Sequence, residues 1–74
     1  MTPTLTPREF EVLTRLAEGD PYLQIGQRLF MSVGTVRRHV VHIHQKLGVH
    51  NSRGAVMAAI QCGLLDPYVH EGTL

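Results

Sequence analysis

Between Ser32 and Leu47 the chain carries Arg37, Arg38, Lys46 and three histidines, His39, His42 and His44, with no carboxylate among them. Long cationic donors at close spacing suit a polyanion, because each lysine or arginine that meets a phosphate releases condensed counterions. The wider window 21–65 holds Arg28, Arg37, Arg38, Lys46 and Arg53 and no acid, whereas all six Asp and Glu lie outside it. A net charge of +1 therefore conceals a basic middle with acidic flanks. A basic helix facing water has the same charge count, so charge alone does not separate the two readings.

Other chemistries find less support. No paired carboxylates share a helix phase, no nucleophile stands beside a base, and no glycine-rich loop could cradle a phosphate, so the expectation is no enzyme and no cofactor. His39 and His42 share a helix side, but His44 falls on the other, and no nearby carboxylate or cysteine completes a metal set. Protonation of these histidines at mildly acid pH would add charge to the same flank. Cys62 is the one cysteine, which excludes a disulfide framework and suits a small buried hydrophobe. No apolar run approaches the roughly 18 residues of a membrane span, and no basic segment followed by an apolar one opens the chain. A soluble, cytoplasmic protein with no membrane partner is expected.

Seventy-four residues make one domain at most. A chain of this size buries only about 60% of the surface of its unfolded form, so it could lean on a partner subunit. The spacing predicts four helices and no strand. Thr6-Pro7-Arg8-Glu9 offers a cap, a proline at the first helical position and a capping-box acid, with Phe10, Leu13, Leu16 and Ala17 as the buried stripe and Gly19 as the stop. Asp20-Pro21 repeats the start signal for a second helix with Tyr22, Ile25, Gly26 and Leu29 on one face. Only Phe30-Met31-Ser32 separates it from a third helix, Val33 to Leu47, capped by Ser32 and stopped by Gly48; so short a connection makes two helices cross steeply. A fourth begins near Asn51 or Ser52 and ends at Gly63. The expected domain is 1–66, with a frayed tail, 67–74, after Asp66-Pro67.

These elements set the phase of the cationic residues. At about 100° per residue, Val36, Val40, Ile43 and Leu47 fall within about 60° of one another and form the core stripe of the third helix. Gly34, Arg37, Arg38, Val41 and Gln45 must then point outward, with Thr35, His39, His42 and Lys46 on one flank. Such a face carries what a helix in the DNA major groove needs. Arg37 and Arg38 lie in the turns that insert deepest, Val41 could meet a thymine methyl, and Gly34 leaves room for a base edge. Ser32, Thr35, His39, His42, Gln45 and Lys46 are the expected phosphate contacts, helped by free amides at the helix start.

The series Leu5-Thr6-Pro7-Arg8-Glu9, Val12-Leu13, Ala17-Glu18-Gly19, Ile25, Arg28-Leu29, Ser32-Val33-Gly34-Thr35-Val36-Arg37, His39-Val40, Lys46-Leu47-Gly48-Val49, Ala55-Val56 and Gly63-Leu64 resembles the LuxR/GerE-type helix-turn-helix domain of bacterial transcription regulators. The resemblance covers residues 5 to 65. It implies an all-α, four-helix helix-turn-helix bundle that binds double-stranded DNA. It also implies that Arg37, Arg38 and Val41 face the bases while Thr35, His39 and Lys46 approach the backbone. Pro21-Tyr22 stands where the family has a polar cap pair, which puts a backbone contact from that point in doubt. Val33 replaces a usual acid and Gly26 a usual alanine; the glycine costs about 1 kcal/mol of helix propensity and could let the third helix approach closely. Met1 lies just before the motif, and the expectation is a stand-alone regulator like the short GerE-type proteins rather than an excised domain.

Ala55 to Ile60 is apolar on every side, which implies a second surface to cover. A homodimer through this helix is expected, with Met57, Ala58, Gln61 and Cys62 at the interface and Val56, Ala59 and Ile60 toward the core. The other reading is a helix of small residues that tolerates water. Binding of a palindromic site could bring the protein to RNA polymerase. Two alternatives stay open. One is a sigma-factor-like promoter-reading domain, against which the fourth helix counts. The other is a helix-turn-helix module that binds a partner protein instead of DNA.

Overall fold

Thr6 closes an extended stretch by accepting Glu9 N–H on its hydroxyl, while Glu9 Oε1 reaches back to Thr6 N–H at 2.9 Å. This reciprocal box, with Pro7 in the first turn, starts α1 (Pro7–Ala17). The computed structural model describes residues 4–66 and continues with α2 (Tyr22–Leu29), α3 (Val33–Leu47) and α4 (Ser52–Gln61). The expected tail, 67–74, lies outside the described residues. Among the described residues there is no strand, and no helix is long and apolar enough to cross a membrane.

Local chemistry accounts for most of the boundaries. Ser32 Oγ accepts Thr35 N–H and starts α3, and Gly48 ends it at φ +68°, where a residue with a side chain would be strained. Asn51 Oδ1 accepts Gly54 N–H at 2.7 Å and starts α4, which ends two residues before the expected Gly63. The start of α2 differs from expectation. Pro21 is the cap residue rather than the first helical one and makes no side-chain cap bond. The carboxylate of Asp20, expected to cap, instead stands 3.2 Å from Arg28 and 3.5 Å from Arg15.

The core is one cluster to which all four helices contribute. Val12 and Leu13 of α1, Ile25 of α2, Val36, Val40 and Ile43 of α3, and Ala55 and Ala59 of α4 are buried, and Leu65 closes the end. Leu16, Ala17, Tyr22, Leu29, Leu47, Val56 and Ile60 pack around them. Phe10, expected in the α1 stripe, is 40% exposed, and Glu9 is buried in its place. The stripe of α1 is centred on Val12, Leu13 and Leu16, and at about 100° per residue Phe10 lies roughly 110° away from that centre.

A short turn, residues 30–32, joins α2 to α3. Phe30 leaves α2 in the left-handed conformation, φ 58°, and Met31 N–H returns to Gly26 O at 2.9 Å. The turn folds so tightly onto α2 that a Cβ on Gly26 would meet Met31 O at 2.5 Å. Glycine at 26 therefore admits the backbone of the turn rather than the body of α3. Arg8 ties the arrangement from outside by donating to Leu29 O at 2.9 Å, which satisfies a carbonyl left free at the C-terminus of α2.

Candidate nucleic-acid interface

The inward side of α3 is fixed by Val36, Val40 and Ile43, all 2% exposed or less, and everything on the opposite side of the cylinder is turned to solvent. Gly34, Arg37, Arg38, Val41 and Gln45 are all exposed, which agrees with the phase read from the sequence. Neither Arg37 nor Arg38 makes an ion pair among the described residues, so both guanidiniums keep their donors free. Val41, 46% exposed, is the apolar member of this cationic strip.

The flank is a mixture of free and engaged groups. Ser32 is exposed but its hydroxyl already accepts Thr35 N–H and lies 3.0 Å from Thr35 Oγ1, so it acts first as a helix cap. Thr35 and His39 are half-buried, and His39 Nδ1 is enclosed without a hydrogen-bond partner, as is His44 Nε2. Lys46 Nζ donates to Glu9 Oε1 at 2.7 Å, and His42 Nδ1 stands 3.7 Å from Glu9 Oε2. Burial pushes the Glu9 carboxyl up, but the Lys46 hydrogen bond, the Thr6 amide and the charges of Lys46 and His42 outweigh it and hold the group below its ordinary value.

The charge pattern read along the chain changes in space. Acids absent from the window 21–65 in sequence return to it in space: Glu9 meets Lys46 and His42, and Asp20 meets Arg28. On the outward face of α3 the cations left without a described acid partner are Arg37 and Arg38. Sequence reasoning missed Glu9 as a neighbour of this flank. A signal existed, because an acid shares the phase of Val12, Leu13 and Leu16 on a helix whose other face is solvated, and a buried carboxylate needs partners.

Away from α3, two surfaces stand out. On α4, Met57 is 52% exposed and Gln61 is exposed, while Ala58 and Cys62 are half-buried, with the Cys62 thiol 3.6 Å from Ala59 O. Val56 and Ile60 pack on the core and Ala59 is fully buried, as their phase predicts. At the turn, Leu23 is 63% and Phe30 92% exposed, flanking a shallow groove that reaches Val33. No group of three or more potential metal ligands gathers among the described residues.

Comparison with known proteins gives the same family from three directions. The family model of bacterial regulatory proteins, luxR family, matches residues 3–59. The probable transcriptional regulatory protein NarL of Mycobacterium tuberculosis is 39% identical over 66 residues, covering 89% of this chain but 31% of NarL. The spore germination protein GerE of Bacillus subtilis is 39% identical over 64 residues, 86% of each chain. The crystal structure of ChrA, a response regulator in a heme-sensing two-component system, superposes with a TM-score of 0.82 at 42% identity, over 88% of this chain and 32% of ChrA. The chain thus spans about a third of NarL and of ChrA, and most of GerE.

Proposed function

Because this chain belongs to the LuxR family of bacterial regulatory proteins, a family of DNA-binding transcription regulators and not of enzymes, we propose that it reads duplex DNA in a sequence-specific manner with α3 in the major groove. The observation that carries this is the pair Arg37 and Arg38, exposed, outward and without an acidic partner among the described residues, beside the half-exposed Val41. A guanidinium forks onto the two major-groove acceptors of guanine, and an exposed aliphatic group suits a thymine methyl. In this reading Gly34, Arg37, Arg38 and Val41 meet bases. Ser32, Thr35, His39, His42, Gln45 and Lys46 meet the sugar-phosphate backbone.

The protein acts as a homodimer through Met57, Ala58, Gln61 and Cys62, on a near-palindromic site with half-sites about one helical turn apart. Its place is the bacterial cytoplasm, on the nucleoid, and regulation depends on where the site lies relative to RNA polymerase. The exposure of Met57 on a helix that also packs inward supports the dimer. Selection of duplexes from a random pool, followed by anisotropy titration, tests the reading. Arg37→Ala and Arg38→Ala should each cost about 1–3 kcal/mol and relax preference at particular base pairs. Full affinity in both variants would show that another surface carries the contact.

A further inference from the structure

The flank of α3 is held from behind by a residue of another helix. Glu9 is 3% exposed, and its two oxygens face two side chains of α3: Oε1 accepts from Lys46 Nζ at 2.7 Å and from Thr6 N–H at 2.9 Å, while Oε2 stands 3.7 Å from His42 Nδ1, longer than a hydrogen bond but within ion-pair reach of a protonated ring. Lys46 and His42 are one turn apart, and both keep part of the side chain in solvent, 36% and 48%. Each of the two side chains therefore has a carboxylate at its back and an open side in front.

We propose that Glu9 is a positioning residue of the DNA interface and that, because of it, His42 takes up one proton when a DNA phosphate docks on this flank. This rests on the DNA-binding reading above. A neutral imidazole has a single N–H. Placed at Nδ1, that hydrogen turns positive charge toward Glu9 Oε2 and leaves a bare lone pair at Nε2 toward the phosphate. Placed at Nε2, it satisfies the phosphate and sets a lone pair against the carboxylate. Only the imidazolium presents an N–H to the anion on each side. The added proton comes from solvent, no covalent bond in the protein or DNA changes, and the bound complex holds one more proton than the separate partners.

The groups around His42 permit this. From α1 the facing charge is Glu9; Glu11 is engaged by Arg8, and on the α1–α2 connection Asp20 is engaged by Arg15 and Arg28. Along α3, Arg38 and His39 stand a turn before it and Lys46 a turn after, and Lys46 already shares its charge with Oε1. No described ion pair reaches His42 from α2 or α4. The carboxylate and an incoming phosphate thus oppose the like charges of Arg38 and Lys46. By linkage, a complex that holds one more proton than its separate partners binds more tightly as pH falls.

The test is anisotropy titration of the whole chain against its selected duplex between about pH 5.5 and 8 at fixed ionic strength. Calorimetry in two buffers of different ionisation enthalpy counts the protons. The wild type should tighten on acidification, by at most about tenfold per pH unit for one proton. His42→Gln should bind with that slope removed, and His50→Gln, outside α3, should retain it. Glu9→Gln keeps a capping-box residue and should lose most of the slope; if it fails to fold, His42→Gln on the exposed flank decides alone. Binding without a slope in the wild type, or a slope that survives His42→Gln, overturns this proposal while leaving the DNA reading intact. No duplex binding at any pH sinks both.

Discussion

Two glycines inside helices show how one residue type answers opposite needs. Gly26 sits where an added methyl would strike a backbone oxygen, Met31 O, at 2.5 Å, and a backbone cannot swing aside as a side-chain tip can. Gly34 has only Ser32 Oγ nearby, at 3.8 Å, an ordinary contact. Gly26→Ala should therefore destabilise the fold by about 1–3 kcal/mol despite its better helix propensity. By contrast, Gly34→Ala should stabilise it by up to about 1 kcal/mol. Urea denaturation of the two variants checks both signs. A loss of DNA affinity in the more stable Gly34→Ala would point to a base edge that needs the missing methyl's space.

At the level of the helices, the ends were legible because their chemistry is local. Thr6 with Glu9, Ser32 with Thr35, Gly48, and Asn51 with Gly54 each complete a cap or stop within a few residues, so the sequence contains both partners side by side. Asn51→Ala leaves Gly54 N–H without its acceptor and should cost about 1 kcal/mol, read as a lower thermal midpoint. The α3 phase was legible for a related reason: four apolar residues at helical spacing leave only one outward face. The misreadings share the opposite property. Asp20 looks like a cap until Arg28 arrives from the next helix, and Lys46 looks free until Glu9 is brought to it across 37 positions. Phe10 was misplaced because two overlapping stripes could be drawn on α1, and only packing against α3 and α4 selects the one through Val12.

The molecule as a whole combines an acid-sensitive clamp with a small core. Glu9 has a lowered proton affinity in the fold, so the unfolded chain binds more protons in the acid range, and stability rises with pH there. Its contribution should be complete above the ordinary glutamate value of about 4.3 and disappear as pH falls through the lower folded value. Melts of the wild type and Glu9→Gln across that range should differ most at neutral pH and converge on acidification. Oligomeric state belongs to this scale too. A sedimentation series should show association that Met57→Glu abolishes without loss of helix content, whereas a strict monomer at high micromolar concentration would count heavily against a dimer preformed through α4.

The bond between Glu9 and Lys46 also bears on how the chain comes off the ribosome. Of the four helices α1 emerges before the others, with its apolar stripe, Val12 and Leu13, and one buried acid, while the lysine that meets that acid and much of the surface that shelters the stripe lie on α3 and α4. Until Lys46 clears the exit tunnel, that amphipathic segment has only α2 to pack on and Glu9 lacks its lysine. The two middle helices can meet earlier across their short turn, so a nascent chain stalled before Lys46 should expose α1 to proteases while a chain released in full should not.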